Sequence, residues 1–186
     1  YNIKNYTIND DLSIDVDGNF GIISSSKLKY IPLNFNYVSG DFRLRGNNFV
    51  SLEGVPKKVG GDFTFSGNKL GSLKHAPKEV GGRFDVSFNK LTTLEDLDTK
   101  ASEYDFSGNE LESLKGAPEE VYGSFFCDRN KLTTLKYAPK KVGGYFNCRE
   151  NKLTSLKYSP KKVSGFSCSG NKDLESFKYC PSVVGN

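Results

Sequence analysis

Apolar and polar positions along this chain repeat in a fixed frame. One asparagine sets the frame, at Asn47, Asn68, Asn89, Asn109, Asn130, Asn151 and Asn171, with steps of 21, 21, 20, 21, 21 and 20 residues. Five residues before it stands an aromatic ring: Phe42, Phe63, Phe84, Tyr104, Phe125, Phe146 or Phe166. Three before it stand Leu44, Phe65, Val86, Phe106, Cys127, Cys148 and Cys168. Two after it come Phe49, Leu70, Leu91, Leu111, Leu132 and Leu153, with Leu174 shifted by one; three further on come Leu52, Leu73, Leu94, Leu114, Leu135, Leu156 and Phe177. Most copies add a proline, such as Pro77 or Pro139, and close on a valine, such as Val80 or Val142.

The alternation Phe63-Thr64-Phe65 puts two rings on one face of a short strand and a polar residue on the other. A single such coil cannot bury its apolar face, so neighbouring coils must stack on it. The frame therefore predicts a β-rich solenoid with short parallel strands stacked on one side. The asparagine should turn inward and satisfy backbone groups. The proline denies a helix on the return side, which 20–21 residues per coil would leave extended or 3₁₀-like. Gly-Gly before each strand should permit a tight bend. Residues 38–186 give seven coils in one structural unit. Residues 1–37 read as an N-terminal β cap, with Leu12, Ile14 and Val16 alternating with Ser13, Asp15 and Asp17, and a turn at Asp17-Gly18. The segment LEDLDTKASEY (94–104) lacks both the proline and Gly-Gly, so the fourth coil should bend differently.

The repeat L-x-x-L-x-L-x-x-N-x-L resembles the leucine-rich repeat, with Phe in place of the first strand Leu. GDFTFSGNKL (61–70) and GYFNCRENKL (144–153) carry it best. The wording YTIND…SIDVDGNF, followed by copies of V-G-G-x-F-x-x-x-x-N-K-L-x-S-L-K-x-A-P-K, is similar to leucine-rich-repeat proteins encoded by tailed bacteriophages. That resemblance implies a right-handed array with its parallel sheet on the concave face, and a phage origin. It also implies a partner among host bacterial proteins, met in the host cytoplasm. It implies no catalytic mechanism.

Composition sharpens this only in part. At 36% hydrophobic residues the chain is poor for a compact globule, and at 13% aromatics it is too rich for a disordered one. No apolar run approaches the roughly 18 residues of a membrane helix, and no signal peptide opens the chain. The lack of any Met suggests a processed chain or a fragment. Residues 1–120 carry 14 basic and 18 acidic residues, net −4; residues 121–186 carry 12 and 4, net +8. Such a split can steer an acidic partner.

Candidate chemistry is sparse. SIDVDGN (13–19) only faintly matches a calcium loop, with Ser13 first and Ser24 where a bidentate Glu is required. Cys127, Cys148 and Cys168 fall in an inward slot as small hydrophobes, Cys180 sits before Pro181, and none has zinc spacing. Free thiols suit a reducing cytoplasm. The single histidine, His75, takes a corner slot filled elsewhere by Gly54, Asp96, Gly116, Tyr137, Tyr158 and Tyr179, so it reads as a surface residue. No nucleophile–base set or phosphate loop is recognisable. The expectation is a non-enzymatic chain without cofactor or metal.

Binding residues are sought among the outward strand positions, which form the concave face. Most coils present Ser, Gly or Asp there; coils five and six present Phe126, Asp128, Arg129, Tyr145, Asn147, Arg149 and Glu150, and Phe88 stands in the same slot as Arg129. Aromatics with arginines anchor interfaces, so this patch is the candidate protein-binding site. The plainer alternative pairs Arg129 with Glu150 and Asp128 with Arg149 across adjacent coils. A second reading uses the return side, where Lys136-Tyr137, Lys157-Tyr158 and Lys178-Tyr179 stack in register and could bind nucleic acid. A third has the C-terminal coil, ending PSVVGN, pairing with another copy.

Overall fold

The computed structural model describes residues 5–22 and 28–184. Its strands, in chain order, are β1 (Tyr6–Ile8), β2 (Ile14–Val16), β3 (Phe20–Gly21), β4 (Phe35–Val38), β5 (Phe42–Arg43), β6 (Lys58–Val59), β7 (Phe63–Thr64), β8 (Glu79–Val80), β9 (Arg83–Asp85), β10 (Glu103–Asp105), β11 (Glu120–Val121), β12 (Phe125–Phe126), β13 (Lys141–Val142), β14 (Tyr145–Asn147), β15 (Lys162–Val163), β16 (Gly165–Ser167) and β17 (Ser182–Val183). They wind a β-solenoid of about eight turns, with no helix among the described residues.

One ladder is continuous. Eight parallel strands run in the order β16-β14-β12-β10-β9-β7-β5-β3. Their register places Phe42 beside Phe63, Phe63 beside Phe84, Phe84 beside Tyr104, and so on to Phe166, as the aromatic frame requires. The eighth strand, β3, adds Phe20 beside Phe42. It lacks the asparagine frame, so the count of seven coils did not include it. Within the segment expected to cap the array, β2 and β3 thus continue the ladders, and β1 closes the edge antiparallel to β2. Leu12 does not join that strand: it is 78% exposed, with φ 60°. The twelfth position of the calcium-like loop, Ser24, lies outside the described residues.

A second ladder lies across the Gly-Gly corner. It is made of short pieces of two to four residues, most of them ending in the repeated valine: β2, β4, β6 and β8, then β11 with β13, then β15 with β17. Between the ladders the core is a column of rings, with Phe42–Phe63, Phe63–Phe84 and Phe125–Phe146 stacked at 5.7, 5.3 and 6.0 Å. Leu, Val and Cys fill the adjoining slots, nearly all fully buried. Each ring column buries side chains that dominate core energetics.

Two backbone devices lock one coil on the next. The buried asparagines form a ladder. The Asn109 amide donates to the carbonyls of Val86 (3.1 Å), Phe106 (3.0 Å) and Ser107 (3.4 Å), and its Oδ1 accepts the Leu91 N–H (3.0 Å). Asn89, Asn130 and Asn151 repeat the pattern. The corner glycines make the bend expected, and the first also permits close approach. A β carbon on Gly81 or Gly143 would lie 2.1 Å from the carbonyl oxygen of Gly60 or Tyr122 in the coil below. The fourth coil, without Gly-Gly, uses its ring differently: the Tyr104 hydroxyl donates to the Thr99 carbonyl (2.8 Å) and accepts the Ala101 N–H (2.9 Å).

Candidate functional site

The outer face of the eight-stranded sheet is made by residues alternating with the buried rings. In the lower coils this face is self-satisfied. Asp41 and Asp62 do not point freely outward; each accepts the N–H one coil up, of Asp62 (2.7 Å) and Arg83 (3.0 Å). Asp85 and Asp105 are buried on the face. Asp85 accepts from the Ser87 hydroxyl (2.6 Å) and lies 3.6 Å from Arg45. Asp105 is paired with Arg83, which also reaches Glu103 at 3.2 Å. Burial disfavours the Arg83 charge, but Asp105, Asp85 and Glu103 outweigh it and raise its pKa.

The upper coils bring the candidate residues together. Phe126 on β12 and Tyr145 on β14 stack at 6.3 Å and 22°. The Tyr145 ring extends over Gly165, where a β carbon would lie 2.3 Å from its Cδ2. Arg83, two coils away, covers Phe126, with the guanidinium carbon 5.1 Å from the ring centroid. Cation–π contacts of this kind contribute about 0.5–1 kcal/mol at exposed sites. Beside the rings, Asp128 accepts from the Ser107 hydroxyl (2.7 Å) and the Asn147 amide (2.8 Å).

The plainer pairing holds in one half. Arg129 Nε donates to Glu150 (3.1 Å). Asp128 does not pair with Arg149; Ser107 and Asn147 occupy it, and Arg149 lies 3.6 Å from Glu150. Phe88 stands apart from the stack. It is 52% exposed and packs over Gly108, where a β carbon would meet its Cδ1 at 2.6 Å.

Phe88, Arg129 and Glu150 share a backbone property their outward position did not reveal. Their φ angles are 53°, 54° and 50°, in the slot where Gly46, Gly67, Gly108 and Gly170 have φ of 62–77°. The slot is left-handed in every coil, so a side chain there is held against its backbone preference. Four glycines in one column of the repeat were the signal. The corner slot of His75 is left-handed too (φ 69°), as it is at Tyr137, Tyr158 and Tyr179. Arg83 and Ser107 are contacts of the patch that sequence reasoning left out: Arg83 spans two coils to reach Phe126, and Ser107 lies directly below Asp128 in the same column.

Elsewhere chemistry is muted. Cys127 and Cys148 are buried free thiols, Cys168 is half-buried and Cys180 exposed. Burial, then the neighbouring thiol, pushes the Cys127 and Cys148 thiols well up. Among the described residues no group of three or more His, Cys, Asp or Glu could hold a metal ion, and no helix is long and apolar enough to cross a membrane. No family profile, curated protein or solved structure matches the chain.

Proposed function

We propose that the chain is a non-enzymatic protein-interaction module of leucine-rich-repeat type, of the kind tailed bacteriophages encode. Its partner is a bacterial host protein, engaged in the host cytoplasm through the face of the eight-stranded sheet. The observation that carries the reading is the Phe126–Tyr145 stack with Arg83 against it, on the two coils that also carry Arg129 and Arg149. Aromatic and arginine side chains dominate interface energy, and strand pairing places these before a partner arrives. The in-phase repeat and its wording support the leucine-rich-repeat and phage assignments.

The test is affinity capture from bacterial lysate, with wild type beside a variant carrying Phe126→Ala, Arg129→Ala, Tyr145→Ala and Arg149→Ala. One host protein held by the wild type and lost by a folded variant is the expected result. Identical captures from both would remove the patch from the account.

A further inference from the structure

The second ladder breaks beside each of the two 20-residue coils, between Lys100 and β11 and again between β13 and β15. The missing residue comes from the corner. Three residues separate Val142 from Phe146, but two separate Val163 from Phe166. The Ser164 N–H donates to Gly144 (3.0 Å), the bond that the second corner glycine makes in the coil below, from Gly144 to Gly123 (2.9 Å). No backbone hydrogen bond joins β13 to β15, although the two strands lie side by side as closely as paired neighbours.

A groove of about 1030 Å³ lies at this second break. Ala138, Val184 and the rings of Tyr137 and Tyr158 give it an apolar lining over the buried Val142 and Val163, and Lys136, Lys140, Lys141, Lys161 and Lys162 border it. Two of these lysines are neutralised from the coil below, Lys140 by Glu119 (2.9 Å) and Lys141 by Glu120 (2.7 Å). Lys161 and Lys162 are not. The coil below offers them only Lys140 and Lys141, the coil above Pro181 and Ser182, and no described carboxylate lies within 4.0 Å. Like charges stacked on neighbouring coils repel, which an anion in the groove would relieve.

The tyrosines add an independent sign. Tyr137 and Tyr158 line the groove in left-handed backbone, φ 71° and 74°, where Gly54 and Gly116 occupy the same slot without strain. Strain held where glycine would suffice points to use of the side chain. Each ring is covered by its own lysine, Lys136 and Lys157, with Nζ 5.0 Å from the centroid. That leaves at most one face of each ring for a stacked nucleobase. An apolar lining beside free cations suits a peptide that carries both carboxylates and apolar side chains.

We infer that the groove over β13 and β15 binds an extended acidic peptide segment bearing apolar side chains, its carboxylates on Lys161 and Lys162 and its apolar side chains against Val184, Ala138 and the tyrosine rings. This site is separate from the Phe126–Tyr145 patch.

The test is fluorescence anisotropy with three labelled probes: an alternating Glu-Leu peptide, an all-Glu peptide of equal length, and single-stranded oligothymidylate. The Glu-Leu peptide should bind saturably and at least tenfold more tightly than either other probe. Lys161→Glu with Lys162→Glu should weaken it at least tenfold, Lys161→Gln with Lys162→Gln by less, and Phe126→Ala with Tyr145→Ala not at all. The lysines are exposed, so these variants should fold, which a urea titration checks. The inference is overturned by no saturable binding, by equal affinity for the all-Glu peptide, or by insensitivity to the lysine changes. Tighter oligothymidylate binding would overturn it in favour of a nucleic-acid surface.

Discussion

Replacing Asn109 by Ala tests the asparagine ladder in the middle of the array. The three carbonyls that its amide serves each keep another donor: Val86 keeps Asn89, Phe106 keeps Asn130, and Ser107 keeps the Phe88 N–H. The Leu91 N–H has no such reserve, since Asn109 Oδ1 is its acceptor. An orphaned buried N–H costs about 1–3 kcal/mol, and each lost bond to a still-partnered carbonyl about 0.5–1 kcal/mol. The sum is about 4 kcal/mol. At about 2–4 °C per kcal/mol for a chain of this size, the melting midpoint should fall by about 8–16 °C. Urea unfolding followed by circular dichroism measures it. Lys90→Ala, which removes only an exposed 3.4 Å pair with Glu110, should cost about 0.5 kcal/mol or less. Asn109→Asp should be worse than Ala at pH 7, because a carboxylate would face three carbonyl oxygens, and it should recover on acidification. A loss below about 1 kcal/mol for Asn109→Ala, or one equal to that of Lys90→Ala, would refute the idea that the asparagines hold the coils in register.

Gly81→Ala should destabilise by about 2 kcal/mol or more, since its β carbon meets a backbone oxygen at 2.1 Å; Gly71→Ala, with open space around it, should be neutral or gain up to about 1 kcal/mol, and paired urea titrations compare them. The buried thiols should make stability fall in alkali. Their folded pKa values are raised, so their contribution is full below the unfolded value of about 8.5 and is lost as pH rises above it. Thermal scans at pH 8 and pH 10 should therefore show a smaller loss for Cys127→Val with Cys148→Val than for wild type; Val86 already fills the same slot.

The parts of the fold that follow the frame were legible because they repeat. The positions of Phe42 through Phe166 predicted both the ring column and its register, and each asparagine turned inward as its spacing required. The second ladder was not legible, because pieces such as Lys58–Val59 are too short to show a period. Nor was the work of the corner glycines: the sequence shows the glycines but not the carbonyl lying against them in the next coil. At the candidate site, stacking one column of residues found Phe126 beside Asn147 and Tyr145 one coil above. It missed Arg83, whose long side chain spans two coils, and it mispaired Asp128, because hydroxyl and amide donors on neighbouring coils compete for a carboxylate as well as an arginine does.

Site-specific photocrosslinking in live bacteria tests most directly the proposal that a host protein docks on the Phe126–Tyr145 face. A benzophenone amino acid would replace Tyr145 in one strain and, as a control, the exposed Tyr30 near the other end of the array in another. The account predicts one discrete crosslinked host protein from position 145 and none from position 30. No adduct at 145, or the same adducts from both positions, would contradict it.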